Sequence, residues 1–175
     1  MVDIGLVNVE RLRTVEWSKS WLWSLMFPEG PEPFTTWFPA TEISVNDWSL
    51  QTKSIATAFT EFALPLKTSK YSLKVTFIDD IHLSISEWLE HWVNEEILLG
   101  GTGVASLVDI VKHVRIAKLD NRKRVVYMNV YEVFPEGEYM YDGTSAAGNH
   151  SNAVDFVIAG TVSTQRFNPP VEVEL

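Results

Sequence analysis

The chain has 175 residues, 46% of them hydrophobic and 21% charged, which suits one domain with a real core, or one domain with extended arms, and argues against two independent domains. It contains no Cys, so a disulfide framework, a thiolate nucleophile and a Cys-ligated zinc are all excluded. Its formal charge of −9 argues against a protein that coats nucleic acid by neutralising phosphates.

The N-terminal region is rich in Trp. Of seven in the chain, Trp17, Trp21, Trp23, Trp37 and Trp48 fall within the first 50 residues, and Trp is enriched where surfaces meet. Asp3, Glu10, Arg11 and Arg13 interrupt the start where a signal peptide needs an apolar run, and no window approaches a membrane span, so a soluble protein is expected. Residues 21–27 alternate large apolar side chains at strand spacing and stop at Phe27-Pro28-Glu29-Gly30, a turn sequence that recurs as Phe134-Pro135-Glu136-Gly137.

Further strands are expected over 42–50, 55–62, 71–78, 107–118, 124–134 and 154–162. Within 71–78, Tyr71, Leu73, Val75 and Phe77 share one face and Ser72, Lys74 and Thr76 the other, as in a half-exposed antiparallel strand. The 124–134 run is apolar on both faces, with Val126, Met128 and Val130 on one and Val125, Tyr127, Tyr131 and Val133 on the other. It therefore asks for a sandwich interior or a second subunit.

One helix stands out. Ser84 and Glu87 have the spacing of a capping box, and Ile85, Trp88, Leu89, Trp92 and Val93 form one apolar stripe closed by Gly100-Gly101. The 107–118 and 124–134 strands are joined through Asp120-Asn121, a turn pair. Six bases and one acid lie between Lys112 and Arg124, a net of +5, so the rest of the chain carries −14. Such segregation is either a solvated hairpin tip or a means of pairing copies of the chain.

Nothing in this order of residues forms a catalytic constellation. The nucleophile-elbow, phosphate-loop and paired-His zinc motifs are absent from the sequence. Gly100-Gly101-Thr102-Gly103 lacks a following Lys and reads as a helix stop, and His91 beside Glu87 and Glu95 reads as exposed helix pairing. Asp79 and Asp80 beside His82 are the best acid-base candidates, but two adjacent Asp residues before a helix more simply favour its positive N-terminal end. No catalytic, cofactor or metal site is expected.

The succession of pieces is more informative than any one of them. Phe38-Pro39-Ala40 opens a strand, a strand pair leads to Leu64-Pro65-Leu66, and a strand ending in Asp79-Asp80 runs into a helix with Trp88 and Trp92. The basic hairpin then ends in Val133-Phe134-Pro135, and after Asp142-Gly143 a closing strand spans 154–160. This order resembles the tail tube proteins of contractile-tailed bacteriophages, including the tube-like proteins of the inner baseplate ring, over about residues 37–160.

The resemblance implies a mainly β (α+β) fold, an antiparallel β-barrel or sandwich with a long hairpin and one flanking amphipathic helix. It divides the chain into an N-terminal Trp-rich arm (1–36), a tube-like domain (37–162) and a C-terminal extension (163–175). It further implies a structural virion protein, assembled in the host cytoplasm, whose six copies close a ring around a channel for DNA that passes without specific binding. Its partners would be its own copies, other tube and baseplate proteins and the sheath, with no membrane insertion. Lys118, Arg122, Lys123, Arg124, Tyr127 and Tyr131 are the expected inter-subunit contacts. The alternative is a monomeric β-sandwich that binds a ligand such as a sugar on exposed Trp residues.

Overall fold

A computed structural model describes residues 22–46, 50–56, 60–68, 71–137 and 151–172. Among these residues eight strands run in chain order: β1 (Trp23–Met26), β2 (Ala40–Asn46), β3 (Leu50–Ala56), β4 (Glu61–Thr68), β5 (Tyr71–Ile78), β6 (Lys112–Leu119), β7 (Val125–Glu136) and β8 (Ser151–Val171). Between β5 and β6 lie helix α1 (Ser84–His91), a π-helical turn (Trp92–Ile97), a short 3-10 turn and helix α2 (Leu107–Ile110).

Among the described residues six strands form one antiparallel sheet in the order β1-β6-β7-β8-β5-β2, and β3 pairs only with β4 in a separate two-stranded sheet. The fold class is mainly β with a few helices, as expected. Three register shifts interrupt the β7–β8 ladder, and such irregularities bend and twist a sheet. The large sheet accordingly curls: Val45 on edge strand β2 and Ile116 on β6 line one cavity although three strands separate theirs in the sheet.

The inner face of the curl is the core. Leu25, Leu73, Val75, Phe77, Val114, Val133 and Phe156 are buried there, and α1 covers one end with Ile85 and Leu89. Phe27 sits at the junction, its ring centroid 5.0 Å from Phe38 and 5.5 Å from both Trp88 and Phe156. Trp92 continues the aromatic layer at 5.2 Å from Trp88 and 6.0 Å from Phe156. The Phe27 turn closes as expected, with the Gly30 amide donating to the Phe27 carbonyl at 2.9 Å, and a Cβ on Gly30 would sit 3.0 Å from that carbonyl oxygen.

The helix has the apolar stripe the sequence indicates, but it is not capped by a box. Leu83 occupies the cap position in the left-handed region at φ 57° and offers no side-chain bond. Two aspartates do the capping. Asp79 accepts from the backbone amides of Ile85 (3.1 Å) and Ser86 (2.8 Å), while Asp80 accepts from those of His82 (3.2 Å) and Ser84 (2.9 Å) and from the Ser84 hydroxyl (2.8 Å). Two carboxylates outcompete one hydroxyl for the orphan amides because charged acceptors bond more strongly and complement the helix dipole. The Ser84 amide bond makes the largest contribution to holding the Asp80 pKa below its usual value.

Several strand boundaries differ from expectation. Residues 55–62 do not form one strand: Ile55 and Ala56 end β3 and Glu61 and Phe62 begin β4, which takes in Leu64-Pro65-Leu66, expected to follow the strand pair. The 107–118 stretch begins as helix α2, and its strand starts at Lys112. The second Phe-Pro-Glu-Gly copy does not repeat the first, since Phe134, Pro135 and Glu136 remain within β7. Finally, β8 continues through residues 163–171 and pairs there with β7 from Val130 to Val125. Asp142 and Gly143 lie outside the described residues.

Candidate assembly surface

The β6–β7 hairpin carries the basic cluster, and Asp120 organises its tip. One Asp120 carboxylate oxygen accepts from the amides of Arg122 (2.8 Å) and Arg124 (2.9 Å), and the other accepts from Arg124 Nε (2.9 Å) and Nη2 (2.7 Å). The Asp120 amide in turn donates to the Arg124 carbonyl at 2.9 Å, closing the loop. These bonds, the Arg124 amide foremost, hold the Asp120 carboxyl below the usual range. Arg124 is thus committed within its own hairpin. Arg122 and Lys123 are exposed, with Lys123 at φ 60° at the point of the turn.

The remaining expected contacts lie farther down the same strands. Lys118 Nζ and Arg166 Cζ each stand 5.8 Å from the centroid of the Tyr127 ring. Tyr131 is only 4% exposed and accepts a hydrogen bond from Asn129 Nδ2. The structure therefore brings Lys118, Tyr127 and Tyr131 to one cavity and leaves Arg122 and Lys123 at the tip. Arg166 was not among the expected contacts, because it lies past residue 162 where no strand alternation is legible.

A second surface has no counterpart in the sequence reading. On β3 and β4, residues 51–56 and 61–65 are exposed on both faces, including Ile55, Phe62 (44% exposed) and Leu64. Two-stranded hairpins are marginal alone in water, and Ile55, Phe62 and Leu64, which the Ile55–Phe62 pairing and the two-residue strand period put on one face, call for a covering partner. Pro65 hid this strand. It sits beside a register shift in the ladder, where a residue without an amide is tolerated.

The chemical alternatives find little support. Asp79 and Asp80 are engaged in capping α1, and among the described residues no group of three His, Asp or Glu side chains is arranged to hold a metal ion. Of the described Trp residues, Trp92 is fully buried, Trp23 and Trp88 pack against the core, and Trp37 is exposed at 56%. Trp17, Trp21 and Trp48 lie outside the described residues. No helix among the described residues is long and apolar enough to cross a membrane.

No protein-family model matches the sequence, and no curated protein does. Solved structures do match the fold. The extended sheath–tube complex of the PVC extracellular contractile injection system aligns with a TM-score of 0.62 at 10% identity, over 90% of this chain and 97% of that one. The tube-terminating cap of the anti-feeding prophage gives 0.62 at 11% identity over 87% and 94%. The baseplate of the anti-feeding prophage, 6-fold symmetrised, gives 0.52 at 13% identity over 93% and 99%. The chain has the fold found in tube, cap and baseplate assemblies of contractile injection systems, the class that its order of elements resembles.

Proposed function

We propose that this chain is a structural subunit of a contractile tail, in the tube or in a ring at one of the tube's ends, and that six copies close around a central channel. The observation that carries the reading is the β3–β4 hairpin, a separate sheet with Ile55, Phe62 and Leu64 exposed and, among the described residues, no strand partner but its own other half. A neighbouring copy would cover it, and closed symmetry satisfies every copy's surface equally. Arg122 and Lys123 would then meet the acidic surface of an adjacent ring, since the rest of the chain carries the negative charge. The excess of acid would let DNA or other anionic cargo slide without being retained. In this reading the protein needs no active site, and its partners are its own copies and other tail proteins, the sheath included. It would act in the assembled tail after assembly in the host cytoplasm.

Sedimentation of the purified chain beside Phe62→Glu tests the proposal. The parent should form discrete oligomers or tubes at tens of micromolar, and the variant, equally folded by circular dichroism, should remain monomeric. Identical sedimentation of the two proteins would remove the hairpin from assembly.

A further inference from the structure

The hairpin face that needs cover has a definite chemistry. Ile55 pairs with Phe62 and Lys53 with Leu64 across the β3–β4 ladder, so one cation shares a face with three apolar side chains. All of them are exposed, and among the described residues no carboxylate pairs with Lys53. Glu61, opposite Ala56, belongs to the other face.

A groove of complementary character lies elsewhere on the chain. A cavity of about 510 Å³ opens between the helical segment formed by α1 and its π-helical turn and the end of β7. Leu89, Val93 and Ile97 recur once per turn along one wall, Pro135 stands on the other, and Glu90 and Glu136 add carboxylates to the lining. Leu89 and Ile97 pack on into the core, which fixes that wall. Glu90 is exposed and has no ion-pair partner among the described residues.

These two surfaces satisfy each other better than either satisfies itself. Hairpin stacked on hairpin would bring two Lys53 ammoniums into one apolar contact with no acid on the joined faces. Hairpin in groove sets Lys53 against Glu90 and covers Ile55, Phe62 and Leu64 with Leu89, Val93 and Ile97. Such a contact joins two different patches, so it repeats head to tail from copy to copy and can close a ring.

We propose that the β3–β4 hairpin of one copy seats in the α1–β7 groove of the next, with Phe62 and Leu64 on the apolar wall and Lys53 against Glu90. The inference rests on the assembly reading above and adds to it the surface that receives the hairpin.

Complementary charge reversal tests it in the full-length chain. Lys53→Glu and Glu90→Lys shift the net charge in opposite directions, so general repulsion would make one variant assemble better and the other worse. Docking requires that both, folded like the parent by circular dichroism, raise the half-assembly concentration roughly tenfold. An equal mixture of the two should recover, because each hairpin then finds a groove of opposite charge on the other variant. Parental assembly by either single variant, or no recovery in the mixture, would overturn the proposal.

A second measurement needs no substitution. A carbodiimide condenses a carboxylate and an amine to an amide with loss of one water, and it is applied to assembled parent mixed from heavy-nitrogen-labelled and unlabelled chains. Mass spectrometry should find Lys53 of one label joined to Glu90 or Glu136 of the other. Links within like-labelled chains alone would put the hairpin on its own groove, and links from Lys53 to other carboxylates alone would put it elsewhere; both overturn the docking. Rings that form without these links would leave the ring reading in place, whereas the links in open chains that never close would count against the ring alone.

Discussion

Trp92 Nε1 donates a 2.8 Å hydrogen bond to the Ile110 carbonyl, joining the π-helical turn to the residue that ends α2 just before β6. The turn is defined by the Leu98 amide donating to the Val93 carbonyl, five residues back, at 2.9 Å. Lys112, the first residue of β6, lies 5.2 Å over the same indole and reaches Glu96 at 2.6 Å. The buried indole thus couples the helix to the strand that carries the basic tip.

Trp92→Ala should cost roughly 3 to 5 kcal/mol, as expected for a fully buried aromatic whose partners cannot collapse into the space. Trp92→Phe should cost less than Trp92→Ala, since it keeps most of the packing and leaves the Ile110 carbonyl without its donor. Denaturant unfolding of the two variants beside the parent checks both the size and the order of the losses.

Asp79→Ala should lower stability by about 1 to 2 kcal/mol through the loss of two amide bonds at the start of α1. Ser84→Ala should be milder, because its hydroxyl donates to Asp80 and does not cap an amide.

The depressed pKa of Asp80 sets the sign of a pH effect. A carboxyl whose folded pKa lies below its unfolded value stabilises the fold above the unfolded value, and that stabilisation is lost as pH falls through the folded one. Asp80→Asn should therefore melt below the parent at neutral pH, and the gap should shrink as the pH drops below the unperturbed 3.8. Melts at pH 7, 5 and 3 measure it; a gap that grows in acid would contradict the assignment.

At the basic tip the structure separates residues that composition alone groups together. Arg124→Glu should destabilise the hairpin, since it removes both guanidinium bonds to Asp120 and sets two carboxylates together. Arg122→Glu with Lys123→Glu should leave thermal stability within about 0.5 kcal/mol per substitution and weaken assembly. Melting and light scattering on the same samples distinguish the two effects.

The features legible in the sequence were those with a strict local period. Tyr71–Ile78 has the expected bounds and faces because its burial alternates, and Ile85, Leu89 and Trp92 mark the buried face of the helix because they recur at helical spacing. The β3–β4 hairpin is not legible, because residues 51–56 and 61–65 are exposed on both faces in one chain, β3 shows no apolar alternation, and Pro65 interrupts the Phe62-Leu64-Leu66 alternation of β4. The far half of β8 was hidden by polar residues and by Pro169-Pro170, and its partner β7 holds it only through long-range pairing. The cap differs from the capping box for a geometric reason: Asp79 reaches amides six and seven positions on, and Asp80 amides two and four on, only when the chain folds back at Leu83.

Negative-stain imaging of the purified full-length chain, and of any tail particle it is found to build, tests the central claim most directly. Closed rings or stacked tubes with six subunits around an open channel are the predicted result, with rings lost in Phe62→Glu. A chain that is monomeric when purified and forms no ring in any such particle would contradict the account.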